Sequence, residues 1–305
     1  MKYAHIIAAV TEECWAIRED KLLAILEFLS LQANGVKFSA EEIAARIAPQ
    51  TAAAVARREG SVAILPLRGV IANRATMFDE FSGGTSCEAF GKVFQAAVRD
   101  EGVKAIILDV DSPGGMVSGS DELSSMIYAA RGTKPLVAHV NANMASAAYW
   151  IGSACDEIVV TPSGAVGSIG VIGIRDDISK AMEIAGLKKN LIKAGKFKTD
   201  GYPFEPMGDD ERARYQAKVD ARYEMFLGAI ARNRGVSIDA VRTGFGEGDM
   251  VDAQPAVAAG MADRVATLEE TVKRFGATTY QPAPAARSSR AAHVHRAQLR
   301  EQIAH

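Results

Sequence analysis

From Ser61 onward the chain is punctuated by short apolar, β-branched runs: "SVAILPLRGVIA", "VKAIILDVDSPGG", "KPLVAHVNANMAS", "DEIVVTPSG" and "SIGVIGI". Each is short enough for a strand and bounded by Gly, Pro, Asn, Asp or Ser, the residues that end strands. Between most of them lie stretches with helical periodicity, near residues 88–100, 117–131, 145–154 and 176–186. Strands alternating with helices predict an α/β fold with a mainly parallel sheet and crossover connections. A longer amphipathic segment at 209–235 ends on Gly235, a good helix stop. Two shorter helical pieces and a strand-like "ADRVA" follow it.

Residues 1–58 read differently, as an alanine-rich helical arm in which Ser39 and Glu42 stand at capping-box spacing. Residues 276–305 are rich in Ala, Pro, Ser and Arg with little apolar periodicity, which predicts a flexible basic tail. The expected organisation is therefore an arm over 1–58, a domain over 59–275 and a tail over 276–305.

Charge narrows the function classes. The 35 basic and 37 acidic side chains leave a net charge of -2, so nothing suggests a nucleic-acid partner. The first apolar run, Ile6 to Val10, is far shorter than the roughly 20 residues that span a bilayer, and it lacks signal-peptide flanks. Cys14, Cys87 and Cys155 have no ligand spacing and fit buried thiols of a reducing, cytoplasmic compartment. No metal or cofactor is expected.

The candidate chemistry centres on "NANMASAAYW". Small residues at Ala145, Ala147 and Ala148 leave room for a carbonyl to approach Ser146 at a helix start, although a serine there is most often just an N-cap. A serine nucleophile needs a base and oxyanion donors. The donors have a candidate in "DSPGG", where Gly114 and Gly115 lack the Cβ atoms that block backbone approach. For the base, His5, His293, His295 and His305 lie near the termini, and His139 sits inside an apolar strand. Lysines are more plentiful in "LKKNLIKAGKFKTDGYPF": Lys188, Lys189, Lys193, Lys196 and Lys198. A lysine base must be neutral, so its pKa must fall from about 10.4 to near 7 or 8, a shift costing about 4 kcal/mol that apolar burial supplies. Phe197, Tyr202, Pro203 and Phe204 are candidate apolar neighbours. In an extended segment Lys196 and Lys198 share a face, so spacing does not choose between them.

Together "DVDSPGG", "VNANMASAAYWIGSACDEIVVTP", "GAVGSIGVIG" and "KAGKFKTDGYPFEPM", in that order across about residues 60–270, resemble the serine peptidases typified by signal peptide peptidase A, which include the bacteriophage head maturation proteases. The resemblance implies a Ser/Lys dyad with Ser146 as nucleophile and Lys198 as general base. It implies that Ser168 orients the lysine and that Gly114, Gly115 and the N–H of Ala147 form the oxyanion hole. It also implies a Clp-protease/crotonase-like superhelix of ββα units, assembled into a homo-oligomeric ring with the site completed near a subunit boundary. Many relatives carry glycine after the nucleophile, where this chain has Ala147, and the membrane-bound relatives carry an N-terminal anchor not found here.

These expectations combine into a soluble serine endopeptidase that acts on polypeptides through an acyl-enzyme, with phage scaffold, coat or portal proteins as partners, in the host cytoplasm or inside procapsids. The alternatives are a cytosolic peptidase of signal peptides or protein fragments, a crotonase-like acyl-CoA enzyme that uses the same paired donors, and a catalytically silent capsid scaffold or adaptor.

Overall fold

The computed structural model describes residues 14–33, 56–74 and 84–276. The expected alternation is present. Strand β3 (Val62–Arg68) is followed by the short β4 (Ile71–Ala72), β5 (Thr85–Ser86) and helix α2 (Cys87–Arg99). Strand β6 (Ala105–Ser112) is followed by the short β7 (Gly114–Met116) and α3 (Ser120–Ala129). The third unit is β8 (Leu136–Ala145) with α4 (Ala147–Gly152), and β9 (Glu157–Val160), β10 (Ala165–Gly167) and β11 (Ile172–Gly173) come next. In the first two units the long strand joins a large sheet, the short one crosses into a small sheet, and a helix closes the unit. The repeated unit is therefore ββα.

In the large sheet β3, β6 and β8 run parallel, and the far edge of β8 pairs first with β9 and then with β10, both parallel to it. Antiparallel β2 (Arg57–Glu59) and β12 (Met250–Asp252) close the two ends. The long apolar runs in the sequence follow from burial of both faces. Side-chain alternation sends Ile106, Leu108, Val110, Ala138 and Val140 into the main core under α2, α3 and α4. Ile64, Ile107, Val137 and Val159 go to the opposite face, covered by Leu268 and Val272 of α9 (Leu268–Lys273).

Helix α5 (Ser179–Ile184) leads into the lysine-rich segment, and α6 (Asp209–Arg234) is the long helix. It ends with Gly235 in the left-handed conformation at φ 67°. Helices α7 (Ile238–Gly244) and α8 (Ala253–Ala258) and strand β13 (Arg264–Val265) account for the remaining segments.

Two expectations require correction. Within the arm, α1 (Glu19–Ala33) is helical, but Cys14–Ile17 forms strand β1 and Arg57–Glu59 forms β2. β1 lies antiparallel between β7 and β11 in the small sheet, where sheet edges with unpaired main-chain groups override the alanine-rich context. "SIGVIGI" supplies a strand only at β11, because Ser168 turns the chain out of β geometry at φ 52°. The Ser39/Glu42 capping box and the tail beyond Gly276 lie outside the described residues.

Candidate active site

Ser146 follows the last residue of β8 and precedes the first residue of α4. It is not an ordinary N-cap. Its backbone stands at φ 54°, ψ -116°, and its side chain accepts no capping bond from the helix. An N-cap serine ordinarily has β-region backbone and accepts from an amide of the first turn. A non-glycine residue at positive φ stores strain that the surrounding structure must hold. Ser146 is fully buried in the single chain, and among the described residues its Oγ reaches the Gly170 carbonyl, at 3.5 Å.

The strain is held from both ends of α4. At its start the Ser146 N–H donates to the Gly167 carbonyl at 2.7 Å, and the Trp150 N–H donates back to the Ser146 carbonyl at 2.9 Å. At its end the Arg131 guanidinium gathers the carbonyls of Ser153, Ala154 and Cys155 and, from α6, that of Asn233. The Asn233 amide donates to Ser124 and Ser153. Every residue of α4 is buried, and Trp150 stacks on Phe226 with centroids 4.4 Å apart.

Gly114 and Gly115 lie beside the serine. A Cβ on Gly114, at φ 96°, would collide with the Ala16 carbonyl and stand 3.0 Å from Ser146 Cβ. One on Gly115 would collide with the Ile71 backbone. Both positions therefore demand glycine. Ser112 pins the turn: its Oγ donates to the Gly69 carbonyl at 2.6 Å and accepts from the Gly114 N–H at 3.1 Å. Ala147 is the first residue of α4, so the helix's own ladder offers its N–H no acceptor.

Ser168 follows Gly167, which is in parallel register with Ala145. It is half-buried, and its N–H donates to the Asp249 carbonyl at 2.8 Å.

Lys198 is not brought to this cluster within one chain. It is exposed, and among the described residues no hydrogen bond joins it to Ser146. Residues 196–201 form turns, not an extended strand, so the facing of Lys196 and Lys198 in an extended segment does not arise. The segment is anchored to α6. Arg214 bridges Asp200 at 2.7 Å, stacks on Phe197 at 4.2 Å and holds the Asp200 carboxyl below its usual range, while the Gly201 N–H donates to Glu211. Lys193 donates to Thr199, and Lys188, Lys189 and Lys196 are exposed.

His139 is removed from the site by strand alternation. It lies seven residues before Ser146, roughly 20 Å along the strand, on the opposite face, with Nδ1 3.3 Å from Thr271 Oγ1 of α9. Burial pushes its pKa down to about 4. Cys87 and Cys155 are buried and Cys14 is partly buried. Among the described residues no acidic, His or Cys cluster has metal-binding geometry, and no helix is long and apolar enough to cross a membrane. The sequence did not point to Arg131, Ser124 and Asn233, because their contacts span 22 to 109 residues.

Residues 129–279 match the model of peptidase family S49. The chain is 34% identical over 220 residues to the head-tail preconnector protein GP5 of Enterobacteria phage P21, a match that spans 72% of this chain and 44% of that protein. It is 32% identical over 211 residues to the capsid assembly protease C of Escherichia phage lambda, spanning 69% of this chain and 48% of that one. It thus spans less than half the length of these two relatives. Among solved structures, ClpP1 of Listeria monocytogenes aligns over 68% of this chain and 92% of its own, at 13% identity and a TM-score of 0.41. The family match takes in Ser146, Ser168 and Lys198 together, so the part of the chain that carries all three is similar to peptidase family S49.

Proposed function

We propose that this chain is a serine endopeptidase that cleaves extended polypeptides through an acyl-enzyme at Ser146. The observation that carries the reading is the strained, non-capping backbone of Ser146 beside a glycine turn that admits no side chain. Lys198, as the neutral amine, takes the Ser146 proton while Oγ attacks the scissile carbonyl carbon. The oxyanion is held by N–H groups from Ala147 and the Gly114/Gly115 turn. The tetrahedral species collapses, and the leaving amine takes the proton back from Lys198. Water, deprotonated by the same lysine, then hydrolyses the ester. Ser168 positions the lysine.

Because Lys198 is exposed in the single chain, we infer that copies of the chain associate in a ring and that a neighbouring copy's segment supplies the lysine and the apolar cover it needs. The names of the phage relatives support capsid assembly proteins as substrates, namely scaffold, coat or portal, and hence action in the host cytoplasm or within procapsids.

The test is cleavage of unfolded casein by the unaltered chain, Ser146→Ala and Lys198→Ala, with circular dichroism confirming the fold of each. Loss of roughly 10⁴-fold or more in both variants is expected. Full activity in Ser146→Ala would refute the mechanism.

A further inference from the structure

Strand β1 occupies a telling place. β7 begins at Gly114 in the candidate oxyanion turn, and β11 begins four residues after Ser168, so together they wall a groove beside Ser146. An extended peptide that laid its main chain against those edges would bring its carbonyls to the serine, as strand addition does at any open edge. In this structure β1 fills that groove, antiparallel to both walls, with Ile17 opposite Gly114, Ala16 opposite Gly115 and Trp15 opposite both Met116 and Ile172.

The main-chain bonds are those of a bound peptide. The Arg18 N–H donates to the Pro113 carbonyl and the Val117 N–H to the Cys14 carbonyl. Antiparallel alternation then makes Ala16 and Gly115 the pair that exchanges both bonds. The Ala16 carbonyl thus takes the Gly115 N–H assigned to the oxyanion, and it packs where Gly114 lacks a side chain, next to Ser146. The side chains alternate as well. Trp15 and Ile17 enter a pocket with Met116 and Ile172, closed by Leu22 and Ile25 of α1, whereas Ala16 turns into the main core.

We propose that β1 is an internal stand-in for substrate: the groove between β7 and β11 takes an extended peptide with a small residue between two large apolar ones, and β1 must leave before such a peptide enters. The proposal rests on the reading of Ser146 as nucleophile. β1 is only four residues long and, among the described residues, β11 pairs with no other strand, so a peptide that replaces β1 must restore both sets of main-chain bonds, and the tether of β1 gives it an effective concentration on the order of millimolar against an incoming peptide.

The experiment uses the full-length Ser146→Ala chain, so that nothing is cleaved, and a fluorescein-labelled peptide copying residues 11–20, followed by fluorescence anisotropy. Adding Ile17→Asp, which loosens β1, is expected to tighten peptide binding by at least about 10-fold, because the fraction of open groove rises. Equal affinity in a folded Ile17→Asp chain overturns the proposal. If that variant does not fold, hydrogen exchange in the Ser146→Ala chain decides. Excess peptide should release the amides of residues 14–17 while residues 114–116 stay protected, and unchanged protection of 14–17 at millimolar peptide overturns it. Both readouts report binding, so they keep their meaning even if casein cleavage shows that Ser146 is not the nucleophile.

Discussion

Ser146 and Ser168 leave two adjacent parallel strands at the same level. Ala145 of β8 is in register with Gly167 of β10, and the next residue on each strand is a serine at positive φ, 54° and 52°. These are two of only three non-glycine residues with positive φ among those described. The bond from the Ser146 N–H to the Gly167 carbonyl ties the two turns together. Such strain concentrates at working sites because a packed scaffold must be in place to hold it.

Relief of that strain makes the first prediction. Ser146→Gly should raise stability by about 1 kcal/mol, a melting-temperature gain of roughly 2–4 °C, while abolishing casein cleavage. Differential scanning calorimetry of the two proteins measures it, and a melting temperature that falls in Ser146→Gly would show the serine to be unstrained.

The glycine turn yields a second prediction. Gly114→Ala places a methyl group against the Ala16 carbonyl and near Ser146 Cβ, so activity should fall by at least roughly 10²-fold even in the folded fraction, as when an oxyanion donor is lost. Steady-state cleavage by material verified as monodisperse is the check.

Arg131 carries a third. Arg131→Met keeps the stem but removes the hydrogen bonds to three carbonyls at the end of α4 and to the Asn233 carbonyl of α6, and the loss should be about 3 kcal/mol. Urea unfolding should show a lower midpoint with an unchanged slope.

His139 sets a fourth. Burial, with Arg264 also opposing charge, outweighs the pull of Asp109 and lowers the ring's pKa from 6.5 to about 4. The folded state thus prefers the neutral ring. Its contribution is complete above pH 6.5 and is lost as pH falls toward 4, where the unfolded chain binds the proton first, up to about 3 kcal/mol. His139→Gln should flatten this part of the stability curve, measured by urea midpoints across that range, without changing the pH profile of activity at neutral pH and above.

Much of this was legible in the sequence because local chemistry dictates it. Strand runs buried on both faces, the Gly235 stop and the paired glycines each carry their own signal. The reading of β1 as helix failed because "CWAI" pairs only with strands that come together in the folded chain. The network of Arg131, Ser124 and Asn233 was invisible for the same reason, since its partners meet only after α6 docks. The sequence ordered Ser146, Ser168 and Lys198 along the chain, but order does not give proximity: the first two meet through strand register, whereas Lys198 sits on a loop fastened to α6. In the ring proposed above, a neighbouring copy supplies that contact. Mixing inactive Ser146→Ala and Lys198→Ala chains should restore up to about a quarter of the activity if random ring neighbours share the dyad.

The most direct measurement is covalent labelling of the unaltered chain with a serine-reactive fluorophosphonate, followed by peptide mapping with mass spectrometry. The account predicts one adduct, on Ser146, that disappears in Lys198→Ala. An adduct on another serine, or labelling of Ser146 that is undiminished without Lys198, would contradict it.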